Sequence, residues 1–203
     1  MRFNSAQIQK IGKEIRGKVD GKTLFDEFSR GRYSTDASVY QIKPLGVVLP
    51  KDTNDVLSLM EYSQKNSVPL LARGGGSSQC GQTVGESVVL DYSKHQNKIL
   101  ELNVEEKYVW VQPGVVLDHL NDYLKPHGLW FPVDVSTSSR ATIGGMSANN
   151  SCGSRSLYYG NMVHNVLAIE AILDDGSIFN FDQINKNYLA TKNNQDRLYK
   201  IID

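Results

Sequence analysis

Leu70–Gly85 reads LLARGGGSSQCGQTVG: a short apolar run, three glycines in succession, then hydroxyl and amide side chains. Consecutive glycines lose the most backbone entropy on folding and give nothing to a core, so the fold must require bare backbone there. An anionic ligand supplies such a requirement, because main-chain N–H groups approach a negative group closely where no Cβ stands between them. The flanking sequence decides what kind of loop this is. GVVLP (46–50) and VPLLA (68–72) are apolar throughout, without alternation, as strands covered on both faces are. Between them, DTNDVLSLMEYSQKN (52–66) has acidic and Thr residues in its first turn, then Val56, Leu59, Met60 and Ser63 at helical spacing. The pattern predicts strand, helix, strand, with the glycine loop starting where the second strand ends. Another apolar run, SVVLDYS (87–93), follows a few residues after Gly85.

Three phosphate-binding or catalytic loops make demands that this one fails. A P-loop needs lysine where Gln82 stands in GSSQCGQT (76–83), and it needs a helix where the chain already reaches SVVLD. The dinucleotide fingerprint needs glycine at Gln79 and a helix N-terminus behind it. A G-x-S-x-G nucleophile elbow centred on Ser77 fails at Gln79 as well. There remains a nest of consecutive amides with no helix, in which Gly74, Gly75 and Gly76 bring the main chain close while Ser77, Ser78 and Gln79 add side-chain donors. A diphosphate fits it. Arg73 either adds charge to that site or makes a structural salt bridge. ATIGGMSANN (141–150) has similar chemistry, setting Gly144 and Gly145 among Thr142, Ser147, Asn149 and Asn150. Two such loops on neighbouring units suggest one extended ligand held at more than one place.

The rest of the chain frames those loops. Ile8, Ile11 and Ile15 give a weak helical pattern, followed by the polar connector SRGRYSTDASVYQIKP (29–44), whose Tyr33 and Asp36 face either a ligand or solvent. YVWVQPG (108–114) has strand character, and VVLDHLNDYLKPHG (115–128) sets Leu117, Leu120 and Leu124 on one helical face, with Asp118 and His119 opposite. Residues 131–160 are poor in regular pattern, and an irregular stretch of that length inside a domain is usually functional. VLAIEAILDDGSIFNF (166–181) predicts two strands around an Asp175–Gly176 turn. Lys plus Arg equals Asp plus Glu at 22 each, which argues against nucleic-acid binding. No run approaches the roughly 20 apolar residues of a membrane span, and the first residues lack the apolar centre of a secretory signal. The expectation is a cytoplasmic protein without a transmembrane segment, peripheral to the inner membrane at most. Cys80 and Cys152 lack the spacing of a metal site and are expected as free thiols.

At VVLP (47–50), PLLARGGGSSQCGQ (69–82), VVLDYSK (88–94), VWVQPGVVLDHLNDYLKPHGLWFPVDVS (109–136), ATIGGMSANNSCG (141–153), YYG (158–160) and NVLAIEAILDDG (165–176), the sequence resembles the FAD-linked oxidases and dehydrogenases that share the fold of vanillyl-alcohol oxidase and p-cresol methylhydroxylase. Within that family it is most similar to the N-terminal portion of D-2-hydroxy-acid dehydrogenases of the D-lactate, glycolate and D-2-hydroxyglutarate type. The resemblance implies an α+β, p-cresol methylhydroxylase-type (PCMH-type) FAD-binding domain of two α+β subdomains, the first with a small parallel sheet and the second with a mostly antiparallel one. The corresponding divisions are an N-terminal helix and connector (1–43), the two subdomains (44–104 and 105–182) and a polar tail (183–203) leading to a missing C-terminal region.

The resemblance also implies that Arg73, Gly74, Gly75, Gly76, Ser77, Ser78 and Gln79 hold the FAD diphosphate. Val135, Ser136, Thr142, Ile143, Gly144, Gly145 and Met146 would line the cofactor cleft, Asn149 and Asn150 would approach the flavin, and backbone near Ile169 would meet the adenine. Members with covalently linked flavin often carry His just after the glycines; Ser77 stands there, which implies non-covalent FAD. Cys152 either touches the flavin edge or is a small buried thiol. No catalytic base is named, because His95, His119, His127 and His164 read as surface or packing residues. The implied reaction is hydride transfer from a small-molecule D-2-hydroxy acid to FAD, in an enzyme completed by a C-terminal substrate cap and iron–sulfur modules that these residues do not include. The rival readings are a noncatalytic flavin-binding or assembly module and a degenerate P-loop nucleotide triphosphatase.

Overall fold

Four strands carry the glycine loop: β1 (Lys22–Leu24), β2 (Gly46–Leu49), β3 (Leu70–Arg73) and β4 (Val88–Asp91), arranged β1-β2-β4-β3. β2, β4 and β3 are mutually parallel, with Val47 opposite Val89 and Leu71 opposite Val89. β1 adds an antiparallel edge, pairing Lys22 with Leu49 and Leu24 with Val47. The computed structural model describes residues 3–181 of the chain, which divides into two units, Met1–Asn165 and Val166–Asp203.

The strand–helix–strand expectation holds. The third apolar run, β4, slots between β2 and β3, so the two strands joined by the helix do not touch. Burial follows from that order. Every residue of β2 and β4 is buried, as apolar-throughout runs at the centre of a sheet should be. β3 lies at the edge and exposes Ala72, although its composition reads as equally central. Val47, Leu49 and Val89 form one face of the core, against which Leu24, Tyr33 and Leu71 pack.

The crossover helix α3 (Thr53–Asn66) needs the residue before it. Asp52 caps it by accepting from the Asn54 and Asp55 amides at 2.9 and 3.3 Å, and it ends at Ser67 in the left-handed region. Upstream, α1 (Ser5–Arg16) starts with a reciprocal capping box between Asn4 and Gln7 and buries Ile8, Ile11 and Ile15. α2 (Glu27–Arg32) occupies the start of the predicted connector. Between these helices, the Phe25 ring fills the space over Gly46, where an added Cβ would come within 2.2 Å of it.

Beyond the sheet, β5 (Ile99–Asn103) and β6 (Tyr108–Val111) form an antiparallel hairpin. α4 (Leu117–Leu124) buries the predicted Leu117, Leu120 and Leu124. Val115, Leu120 and Leu124 form a cluster to which Ile99, Leu102, Val109 and Val111 of the hairpin contribute. Gly128, at φ 69°, stops the short 3-10 turn that follows α4. The stretch read as irregular contains three short helices, α5 (Ile143–Ala148), α6 (Ser156–Tyr159) and α7 (Met162–Asn165). In the second unit, β7 (Ile169–Ile172) and β8 (Ile178–Phe181) pair antiparallel around the predicted turn, with Gly176 at φ 83°. The result is an α+β fold with a mainly parallel first sheet and antiparallel hairpins after it. The polar tail expected at 183–203 lies outside the described residues.

Candidate functional site

The loop after β3 runs to β4 without forming a helix, as its failure to match a P-loop or dinucleotide fingerprint requires. Among the described residues, none of the six successive backbone N–H groups from Gly74 to Gln79 finds a protein acceptor. The later amides of the loop turn inward: Cys80 and Gln82 donate to the Ser78 hydroxyl, which itself bonds the Gln82 side-chain oxygen. No carboxylate lies between Arg73 and Gly85. Six free donors with no negative side chain among them make a surface that favours an anion.

Bare backbone is demanded on the other side of the loop too. A Cβ on Gly74 would come 2.1 Å from Thr142 Oγ1, and one on Gly75 would come 2.1 Å from the Arg140 carbonyl oxygen. The glycines therefore let the loop lie directly on Arg140–Thr142, a role that the ligand-based reading of the sequence did not include. A second link joins the same two segments: Gln82 Nε2 donates to Asn149 Oδ1 at 2.7 Å. Gly76 is held at φ 64°, where its missing side chain leaves room for the Arg73 guanidinium.

Arg73 makes no ion pair among the described residues. Its Nη2 donates to the Thr35 carbonyl at 2.8 Å and its Nη1 to the Thr83 carbonyl at 3.2 Å, while its guanidinium lies 5.3 Å from the centre of the Tyr33 ring. The charge thus stands at the base of the loop as a post, bonded to neutral carbonyls that do not cancel it. Tyr33 donates to Asp91 Oδ2 at 2.7 Å. Burial, reinforced by that carboxylate, pushes the Tyr33 hydroxyl up to about 12. Asp36 accepts from Thr83 Oγ1 at 3.0 Å and from the Ser38 amide at 2.8 Å. Burial opposes its ionisation, but these hydrogen bonds outweigh burial and hold its carboxyl below the usual range.

The second glycine segment spends its own amides. Ile143 donates to Val115 O at 2.8 Å, Gly144 to Pro113 O at 2.9 Å and Met146 to Thr142 O at 2.8 Å, and the buried Thr142 caps α5 through Gly145. Asn149 meets the glycine loop through Gln82, whereas Asn150 turns to α7 and accepts from the Val163 amide at 3.0 Å. Val135 and Ser136 belong to a turn closed by Ser138 N on Val135 O, with Ser136 exposed. Next to them, hydrogen bonds from the Ser154 hydroxyl and the Arg155 amide hold Asp134 below the usual carboxylate range. Ile169 opens β7 in the second unit.

All four histidines are exposed, in keeping with their reading as surface residues. Both cysteines are free thiols, as expected, but Cys152 is exposed, which corrects the expectation of a buried thiol. An apolar cavity of about 360 Å³, lined in part by Leu102, Val109, Leu124, Trp130, Phe131 and Tyr159, shares no residue with the predicted site. The sequence reading missed Thr35, Tyr40 and Thr83; for the first two, the density of hydroxyl and turn-forming residues in YSTDASVYQ was the available signal.

Residues 44–182 match the family described as FAD binding domain. The chain belongs to this family. Over 155 residues it is 42% identical to a D-2-hydroxyglutarate dehydrogenase of Haemophilus influenzae, covering 75% of this chain and 15% of that protein. Over 175 residues it is 35% identical to the glycolate oxidase subunit GlcD of Bacillus subtilis, covering 84% of this chain and 37% of that protein. The chain therefore spans well under two thirds of these curated relatives. Among solved structures, an alkyldihydroxyacetonephosphate synthase superimposes with a TM-score of 0.73 at 20% identity, over 93% of this chain and 36% of that one, a likeness of fold alone. The cofactor of the FAD-binding domain family suits the donors found here: a diphosphate needs several N–H groups on closely approachable backbone, and Gly74–Gln79 supplies them.

Proposed function

We propose that the chain is the FAD-binding part of a dehydrogenase for D-2-hydroxy acids of the D-lactate, glycolate or D-2-hydroxyglutarate type. The run of six acceptor-free amides, Gly74–Gln79, carries the cofactor half of this reading. The names of the curated relatives support the substrate half. In the reaction, a hydride leaves C2 of the acid, its hydroxyl gives up a proton, and a 2-oxo acid is formed. Bound FAD supplies the hydride acceptor at its N5 position. The chain's own contribution is binding and orientation. The loop amides take the diphosphate, Arg73 adds positive potential from behind them, and Val135, Ser136, Thr142–Met146, Asn149 and Asn150 border the remainder of the cofactor. Ser77, in place of a linking histidine, leaves the FAD non-covalent.

We further infer that a substrate cap and iron–sulfur modules complete the enzyme, supplied by a longer polypeptide or a partner, and that it works in the cytoplasm or peripherally on the inner membrane. No helix among the described residues is long and apolar enough to cross a membrane. The test is a thermal shift of the chain with FAD and with ATP, followed by turnover assays of the complete enzyme with the three acids. The chain alone is expected to bind FAD weakly; a ligand at a hundred times its Kd stabilises by about 2.7 kcal/mol, so FAD well above its Kd is expected to raise the Tm and ATP is not. Stabilisation by ATP alone would restore the nucleotide triphosphatase; bound FAD without turnover of any hydroxy acid would point to a noncatalytic module.

A further inference from the structure

We infer that residues 33–42 form a strap that positions the glycine loop for its anionic ligand, with Tyr33, Thr35, Asp36 and Tyr40 as positioning residues; the identity of that ligand rests on the FAD reading above. The strap lies outside the residues that match the family, 44–182. It is closed on itself by a bridge between Thr35 and Gln41. From it, four contacts reach the loop or its base. Asp36 accepts from the Thr83 hydroxyl, and the Thr35 carbonyl accepts from Arg73. The Tyr33 ring lies under the Arg73 guanidinium. The Tyr40 ring covers Gly81, at φ 74°, so closely that an added Cβ would sit 2.6 Å from it.

The need for such a strap follows from what the loop lacks. A segment whose amides from Gly74 to Gln79 bond nothing has no internal ladder to fix its shape. An ordered donor array binds an anion more tightly than one that must be ordered at the moment of binding. The shape is therefore imposed from two sides: by Arg140–Thr142 and Asn149 on one, and by the strap through Arg73, Gly81 and Thr83 on the other. Arg73 is shared by loop and strap, since the loop curls over its guanidinium at Gly76 while the Thr35 carbonyl of the strap accepts a hydrogen bond from it.

The test uses the full chain and compares Asp36→Ala, Asp36→Asn and Thr83→Val with the wild type by FAD fluorescence titration, by Tm, and by the alkylation rate of Cys80, an exposed thiol within the loop. Losing one charge-assisted hydrogen bond predicts FAD binding about tenfold weaker in Asp36→Ala. Asp36→Asn, whose amide oxygen still accepts from Thr83, is expected to stay within about threefold of the wild type. Thr83→Val should resemble Asp36→Ala in affinity, with Cys80 alkylated faster in both; Asp36→Ala also takes the acceptor from the Ser38 amide and lowers the Tm, whereas Thr83→Val leaves the Tm nearly unchanged. A merely structural contact would lower the Tm and leave the affinity and the Cys80 rate alone, and that result overturns the proposal. If Asp36→Ala does not fold, Thr83→Val decides. If the wild type binds no FAD but Cys80 reacts faster in the variants, the strap stands and the FAD reading falls. If FAD binds all variants equally and Cys80 is unchanged, the strap falls and the FAD reading stands.

Discussion

A methyl group added at Gly75 would meet the Arg140 carbonyl oxygen at 2.1 Å and its carbon at 2.9 Å, both main-chain atoms that cannot rotate away. Gly75→Ala must therefore push two loops apart, and overpacking of that kind costs about 1–3 kcal/mol. Gly31, in α2, is the opposite case: an added Cβ finds nothing within 4 Å and its φ lies outside the left-handed region. Gly31→Ala should stabilise by about 0.5 kcal/mol through helix propensity alone. Urea denaturation of the two variants should move the midpoint in opposite directions, and a Gly75→Ala midpoint equal to that of the wild type would remove the loop-on-loop contact from the account. The sequence shows that bare backbone is needed at Gly74–Gly76, and it shows the hydroxyls beside it. It does not show that part of the need comes from Arg140 and Thr142, because nothing local to the glycines marks a partner so far along the chain.

Asp55 shows the same gap at the scale of elements. In the sequence it is one more acidic residue in the first turn of a helix, where the helix dipole favours negative charge. In the fold it is buried, and its carboxylate accepts from the Asp20, Gly21 and Lys51 amides at 2.8, 2.9 and 2.7 Å. One side chain thus ties the start of α3 to the chain entering β1. Asp55→Ala leaves three donors without that acceptor and should cost about 3 kcal/mol, read as a lowered urea midpoint with an unchanged slope. A loss within 0.5 kcal/mol would show that water replaces the carboxylate. Elements whose signals are local were legible. α3 and α4 follow from their apolar spacing, β2 and β4 from unbroken apolar runs, and the β7–β8 hairpin from Asp175–Gly176. β1 and β5 were not: KTL holds a single apolar residue and ILELN is broken by Glu101 and Asn103, and both are strands because a partner, β2 or β6, offers its hydrogen bonds.

For the molecule as a whole, the family match starts at residue 44, yet the first unit depends on what precedes it. β1 occupies the outer edge of β2, α1 buries three isoleucines, and Phe25 fills the hollow over Gly46. Removing residues 1–43 would turn β2, buried along its whole length, into an open apolar edge strand, the arrangement that invites pairing with other chains. It would also leave Asp55 with only the Lys51 amide of its three partners, and strip Arg73 of the Thr35 carbonyl and the Tyr33 ring. The truncated chain is expected to aggregate on expression, and any soluble fraction should unfold without a cooperative transition and fail to retain FAD. Light scattering, thermal unfolding and flavin absorbance after gel filtration measure these three outcomes separately. A monomeric truncation that keeps both the wild-type Tm and its flavin would mean that residues 44–182 fold and bind unaided. The strap and β1 would then be additions to a finished domain, where the contacts at Gly46, Asp55 and Arg73 make them part of it.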